Sequence, residues 1–329
     1  MKKPFKKVII AVIAAVLVLS IGAGAVVYKT VFGSIGKIDN ATLETIAPEM
    51  EDFETDEGAY EGDVAIKDIE LESVELTDDS DLINILLVGQ DRLPGEGRQR
   101  SDSMILCSYN SSTNEVSLIS FLRDLYVNIP GGYSANRLNA PYVFGGFPLL
   151  YDTLAENFGI TVDGGIEVDF DGFIELIDLV GGVDINLTAE EVPYVCYDYD
   201  LEPGMNHLDG ELALNYARIR KIDDDFGRTN RQRTVLLALF NKMKSSDVET
   251  LMKLLKKGLS MVTTDMSDTQ IISLATKLLP KLSTLKVKTY VVPGDENDYY
   301  YASIRGMFVI VPDLPVIKNK LETEYLPLG

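Results

Sequence analysis

Along the chain, apolar and polar positions fall into three regimes. The first is "VIIAVIAAVLVLSIGAGAVVY" (8–28), twenty-one residues without a charge, directly behind the four lysines of "MKKPFKK". A run of that length crosses a bilayer core as a helix, and it is longer than the apolar centre of a signal peptide. It predicts one transmembrane helix, with a cleavable signal peptide ("AGA" near its end) as the rival reading. The lysines keep the N-terminus cytoplasmic and put everything after residue 29 outside. The second regime, 30–81, has little periodicity and reads as a solvated acidic stalk with an edge strand at its end. The third begins at "LINILLVGQDR", where the short apolar run 82–88 closes on Gly89 as a buried strand does.

"SMILCSYN" and "EVSLISFL", separated by "SSTN", read as a hairpin. "FPLLYDTLAENFG" carries apolar positions at helical spacing and ends on a glycine. "DFDGFIELIDLVGG" repeats that pattern with Asp171 as N-cap. Then follow a strand in "VDINL", a helix running into an extended tail in "DGELALNYARIR", and an amphipathic helix in "RTNRQRTVLLALFNKMK". Helices near 247–260 and 268–279 precede the strands "KVKTYVV" and "FVIV". The tyrosines of "NDYYYAS" fit an edge strand or a sugar contact. Strands and helices interleave around one hairpin, which indicates an α/β fold: a three-layer α/β/α sandwich on a mixed central sheet, preceded by one transmembrane helix. The chain divides into 1–29 (lysines and anchor), 30–81 (stalk) and 82–325 (folded domain).

Composition changes this picture in two places. The formal net charge is −21, but between residues 38 and 81 there are seventeen acidic residues against one lysine, so much of the excess belongs to the stalk. The remainder is still acidic, which leaves no basic footprint for nucleic acid. Cys107 and Cys196 lack metal-ligand spacing; they are either paired or free. His207, the only histidine, falls in a loop and has no catalytic part.

Cation type is more informative than cation number. From residue 68 to 220 there is no lysine but seven arginines: Arg92, Arg98, Arg100, Arg123, Arg137, Arg218 and Arg220. The guanidinium fork grips phosphate or carboxylate oxygens bidentately, so its selective use suggests an oxyanion site. Pairing with nearby carboxylates is the competing explanation. Placement favours the first. Arg100 and Arg123 stand where strands give way to loops. Arg218 and Arg220 project to one face of an extended tail. Arg228 and Gln232 are stacked in the first turns of a helix, where free N–H groups favour an anion. Three segments thus converge on a group with several negative oxygens, and a diphosphate fits. Asp91 and Asp102, in the loops beside them, would repel such a ligand unless a cation intervened, and Mg²⁺ (or Mn²⁺) binds through one or two carboxylates plus phosphate oxygens. Asp124 reads as orienting Arg123, and the run 223–225 as a solvated loop or helix cap.

"LLVGQDR", "RSDSMILCSYN", "VSLISFLRDLYVNIPG", "RLNAPYVFGG", "VDFDGFIELIDLVGGVDI", "LDGELALNYARIR" and "DFGRTNRQRTVL" occur in the order and spacing of the LytR-CpsA-Psr family of cell-wall glycopolymer ligases, which this chain resembles strongly over 82–245 and more loosely to 320. The resemblance implies a membrane-anchored phosphotransferase of a Gram-positive type envelope. Such enzymes move a teichoic acid or capsular polysaccharide from a polyprenyl-pyrophosphate carrier to peptidoglycan through a phosphodiester. By motif, Arg100, Arg123, Arg218, Arg220, Arg228 and Gln232 hold the pyrophosphate and Asp91 and Asp102 the Mg²⁺, with Asp102, Asp91 and Arg123 as the catalytic set. The prenyl chain is expected between the sheet and the helices near 148–158, 171–180 and 232–244. Two alternatives use the same chain differently: a polyprenyl-diphosphate hydrolase, with water as nucleophile, or a non-catalytic envelope regulatory protein.

Overall fold

A computed structural model describes residues 36–40, 44–50, 69, 71–72, 74–77, 81–90, 97–196, 201–246, 251 and 257–328. The anchor expected at 8–28 and Asp91 lie outside the described residues. Among those described, no helix is long and apolar enough to cross a membrane. The strands are β1 (Gly36–Lys37), β2 (Leu82–Gln90), β3 (Ser101–Asn110), β4 (Glu115–Phe121), β5 (Tyr126–Val127), β6 (Asn136–Arg137), β7 (Gly164–Val168), β8 (Val183–Leu187), β9 (Gly204–Leu208), β10 (Thr263–Thr264), β11 (Lys286–Val292), β12 (Tyr299–Ile304) and β13 (Met307–Pro312). The helices are α1 (Ala140–Phe158), α2 (Phe170–Leu179), α3 (Val192–Val195), α4 (Gly210–Ala217), α5 (Asp225–Lys244), α6 (Asp268–Leu278) and α7 (Leu314–Lys320).

One seven-stranded sheet runs in the order β1-β10-β7-β2-β3-β4-β11. It is mixed: β2, β3 and β4 are antiparallel neighbours, whereas β7 joins β2, and β11 joins β4, in parallel. Successive side chains of a strand point to opposite faces, and that alternation sorts the two cores. Leu86, Val88, Met104, Leu106, Ile119 and Phe121 pack against Phe147, Leu150 and Leu154 of α1 and Leu314 and Ile317 of α7. The intervening Leu87, Ile105, Val116 and Leu118 meet Leu236, Phe240 and Met243 of α5, while Ile85 meets Ile271 of α6. Helices therefore cover both faces. A smaller cluster, built from Ile177 of α2, Val183 and Ile185 of β8, Tyr216 of α4 and Val235 of α5, stands beside the second face.

Local chemistry sets the boundaries. Asp169, not Asp171, caps α2: its extended backbone lets its carboxylate accept from the Gly172 N–H, while Asp171 falls inside the first turn. The helix expected from 147 begins at Ala140 and bends at Gly146 (φ 66°), just before Pro148, whose missing N–H cannot close the preceding turn. Most of the helix expected near 247–260 lies outside the described residues. The tyrosine-rich segment forms the hairpin β12–β13. Both cysteines are free, and burial pushes the Cys107 thiol up to about 12.

The described parts of 30–81 lie along the domain instead of standing off it as a stalk. Gly36 and Lys37 add a parallel strand beside β10, and Lys37 pairs with Asp268 at 2.9 Å. Ile38, Leu71 and Val74 pack on the larger core, and Ile46 docks on the patch around Phe144. The cause is apolar residues spaced among the acids, each of which gains by leaving water.

Candidate active site

A cavity of about 350 Å³ opens between the second face of the sheet and helices α2, α4 and α5. Its walls are apolar: Leu87, Ile105, Ile166, Phe173, Leu176, Leu214, Val235, Leu236 and Leu239. The size falls within the range of small-molecule sites. Two of the three helices expected at a prenyl pocket, 171–180 and 232–244, do line it. The third, 148–158, does not, because its Leu150, Leu154 and Phe158 point into the closed core on the opposite face of the sheet.

Polar groups enter at one end. Asp102, Arg218, Arg220, Arg228 and Gln232 all line the cavity. Asp102 comes from the start of β3. Its Oδ1 accepts from Arg123 Nη1 at 2.7 Å, and its Oδ2 lies 3.5 Å from Arg220 Nη2. Arg123, in the turn after β4, is thereby tied to the cavity wall through Asp102 although it does not itself line it. Arg218 caps the C-terminus of α4 and stands 4.2 Å over the Phe170 ring. Arg228 is almost fully buried in the second turn of α5. Its Nη2 pairs with Asp225 at 2.5 Å, and its Nε has no hydrogen-bond partner. Gln232 follows one turn later on the same side.

Arg100 has other contacts. Its Nη1 donates to Asn139 Oδ1 at 3.3 Å and its guanidinium lies 5.8 Å from the Phe144 ring centre; it is not among the cavity-lining residues. The structure thus brings four of the six expected phosphate ligands onto the wall and attaches Arg123 through Asp102, while Arg100 is not among the lining residues. Asp91 lies outside the described residues.

The run 223–225, expected as loop or cap, divides into three tasks. Asp224 caps α5 by accepting from the Gly227 N–H. Asp223 grips Arg231 with both oxygens, at 2.7 and 2.6 Å. That carboxylate lies where a Cβ at Gly227 would have to be, so a larger residue there would push Asp223 off Arg231. Asp225 stands 3.6 Å from Arg123 Nε and bridges it to Arg228. Reading by sequence missed Asp225 as a site residue; its spacing of three from Arg228, a helical neighbour distance, was the available signal.

Charge is closely balanced here. Burial pushes the Asp124 carboxyl up to about 6, with Arg123 opposing and Asp225 adding to the rise. Burial pulls the Arg123 guanidinium down, but Asp124, Asp102 and Asp225 outweigh it and hold the group above its ordinary range. Arg228 is lowered by burial, partly offset by Asp225. Both explanations of the arginines therefore hold at once: they pair with carboxylates, and they share one hollow. A buried cation with an unused N–H, beside Arg220, whose carboxylate partner lies 3.5 Å away, is a ready partner for an oxyanion. Asp102, a hard oxygen donor on the same wall, fits a divalent ion that would sit against phosphate oxygens. Among the described residues no three metal-binding side chains cluster, so such an ion would draw further oxygens from the ligand and water.

The sequence model of the LytR_cpsA_psr family matches residues 52–315. The chain belongs to that family. A curated relative, the polyisoprenyl-teichoic acid–peptidoglycan teichoic acid transferase TagU of Bacillus mycoides, is 30% identical over 239 residues, 72% of this chain and 71% of the relative. Two solved LytR_cpsA_psr structures share the fold. Bacillus subtilis TagV is 27% identical with a TM-score of 0.60, covering 77% of this chain and all of that one. A TagT structure bound to LIIa-WTA is 26% identical with a TM-score of 0.61, covering 77% and 96%.

Proposed function

We propose that the chain is an extracytoplasmic phosphotransferase that moves a teichoic acid or capsular-type glycopolymer from a polyprenyl-pyrophosphate carrier to peptidoglycan. The observation that carries this reading is the joining of an apolar cavity to a cluster of arginines at one end of it: a lipid tail and a diphosphate are the two halves of one ligand. The relatives named as teichoic acid transferases, and the TagT structure with LIIa-WTA bound, support it. The fully apolar stretch 8–28 would anchor the protein in the membrane once, with its lysines in the cytoplasm and the domain at the outer face.

Arg218, Arg220, Arg228 and Gln232 would hold the diphosphate oxygens, and Arg123 would fix Asp102 while adding its own charge. Asp102, with Asp91, would hold Mg²⁺, which when bound neutralises charge on phosphate oxygens. An acceptor hydroxyl oxygen attacks the glycopolymer-side phosphorus, the bond to the bridging oxygen breaks, and the lipid departs as its monophosphate. The hydroxyl proton passes to a carboxylate of the cluster. Such a transfer needs little beyond alignment and charge stabilisation, which fixed arginines supply without reorganising. The carboxylates that occupy these arginines keep them oriented until the ligand competes for them.

The test is transfer from a labelled prenyl-diphosphate saccharide to peptidoglycan. Label is expected in the wall polymer, and Arg218→Ala should reduce the rate at least about tenfold, since a charge-assisted contact to phosphate is worth about 1.5–3 kcal/mol. Release of free saccharide phosphate even with abundant acceptor would favour a hydrolase instead.

A further inference from the structure

One aromatic feature lies outside the cavity. Four rings form a continuous row: Phe226 to Tyr299 at 5.7 Å, Tyr299 to Tyr301 at 5.3 Å, and Tyr301 to Phe308 at 5.1 Å between ring centres. Tyr299, Tyr301 and Phe308 share one face of the hairpin β12–β13, as its register requires. Tyr301 is 49% exposed. Phe226, Tyr299 and Phe308 are half-buried beside it, and a contiguous apolar patch, unlike a single exposed side chain, marks an interaction site.

The row is fixed to the reacting centre at two points. Phe226 follows Asp225, the carboxylate shared by Arg123 and Arg228. From the other side, the Ile310 N–H of β13 donates to the Asp124 carbonyl at 2.9 Å. Along α5 the order is an aromatic ring at Phe226, the phosphate-facing Arg228 and Gln232, then the apolar lining at Val235, Leu236 and Leu239. By contact, the cavity-lining Asp102 and Arg228 lead to Arg123 and Asp225, which do not line the cavity, and from there to Phe226 and, through Asp124, to β13, so the arginine cluster joins the cavity to the ring row.

We propose that Phe226, Tyr299, Tyr301 and Phe308 form the docking surface for the glycan strand of the peptidoglycan acceptor, holding its sugar rings by stacking so that a hydroxyl faces the diphosphate. The assignment rests on the transferase reading above and adds where the acceptor lies. In phosphoryl transfer the attacking and leaving oxygens are roughly in line. The lipid leaves toward the apolar cavity, so the acceptor must arrive from the opposite side, where the rings begin. A pyranose presents a C–H face and a hydroxylated edge, which an aromatic ring with a hydroxyl at its rim matches.

The test uses the full-length protein, peptide-free glycan oligomers cut from peptidoglycan, and a prenyl diphosphate as separate ligands. Tyr301→Ala should weaken glycan binding about fivefold or more, as expected for loss of one stacked ring. Tyr301→Phe should restore it, and prenyl-diphosphate binding should be equal in all three proteins. Equal glycan affinity in wild type and Tyr301→Ala, absence of glycan binding by the wild type, or a parallel loss of prenyl-diphosphate binding would each overturn the assignment. Failure of the wild type to bind prenyl diphosphate would instead overturn the transferase reading, while the glycan measurement still decides what the ring row does.

Discussion

Arg228 and Arg231 stand three positions apart on one helix and have opposite fates. Arg231 is held by both oxygens of Asp223 and by the Ile219 carbonyl at 2.9 Å, which fixes the segment after α4 that carries Arg218 and Arg220. Arg228 keeps an unpartnered Nε and lines the cavity. Arg233 differs again: burial lowers it to about 10, and its Nε and Nη1 have no hydrogen-bond partner. A run of arginines in a sequence announces a site without dividing ligands from struts, because that division depends on which carboxylates the fold brings within reach. Asp124 supplies a prediction at this scale. Its folded value, about 6, lies above its ordinary value of 3.8. Between those two values the native state binds more protons than the unfolded chain, so this group's contribution to stability falls as pH rises. The difference amounts to roughly 3 kcal/mol at most. Stability of the wild type relative to Asp124→Asn, from urea unfolding, should therefore increase as pH is lowered from 7 to 4; a flat or opposite difference would show that the buried carboxyl stays ionised.

At the scale of elements, the period-two runs in 82–122 were readable because alternation along β2, β3 and β4 must match a sheet covered on both faces, one set of side chains for each helical layer. Helix α5 was readable from its apolar spacing and from Arg228 and Gln232 on one side. What spacing could not reveal was which apolar stripes close against each other and which leave a hollow. The stripes of α1 and α5 look alike in sequence. Yet α1 fills its space with Phe147, Leu150, Leu154 and Phe158, all fully buried, whereas Val235, Leu236 and Leu239 of α5 border empty volume. Enlarging a side chain there tests the distinction. Leu239→Trp should lower prenyl-diphosphate binding at least about tenfold by occupying the cavity, with a loss of unfolding free energy smaller than the about 1–3 kcal/mol that overpacking a closed core brings. Undiminished lipid binding in that variant would place the tail elsewhere.

For the whole molecule, the separation of charge from function matters most. The acidic excess falls in the sequence before the domain, and Gly36, Lys37, Ile38 and Ile46 tie part of that segment to the sheet edge and to α1. On the proposed reading of 8–28 as an anchor, residues 29–35 would join the membrane to β1, and a lipid tail could enter the cavity from the bilayer. A phosphatase reporter that works only outside the cytoplasm, fused after Gly329, should be active. An inactive reporter, with the fusion protein intact and its C-terminus protected from external protease, would reverse the topology and with it the substrate class.

By itself the sequence determined the alternating strands, the principal helices, the uncharged run 8–28, the ordered family motifs and the choice of arginine over lysine, because each is a local property of side-chain period, length or chemistry. Only the tertiary structure decided that Arg100 contacts Asn139 and Phe144, that Asp225 joins Arg123 to Arg228, that the cavity lies against α2, α4 and α5 but not α1, and that a row of rings adjoins Asp124 and Asp225. Those outcomes depend on distances between segments up to two hundred residues apart. Such distances are fixed by how the two layers of helices pack on the sheet, and no local pattern encodes them.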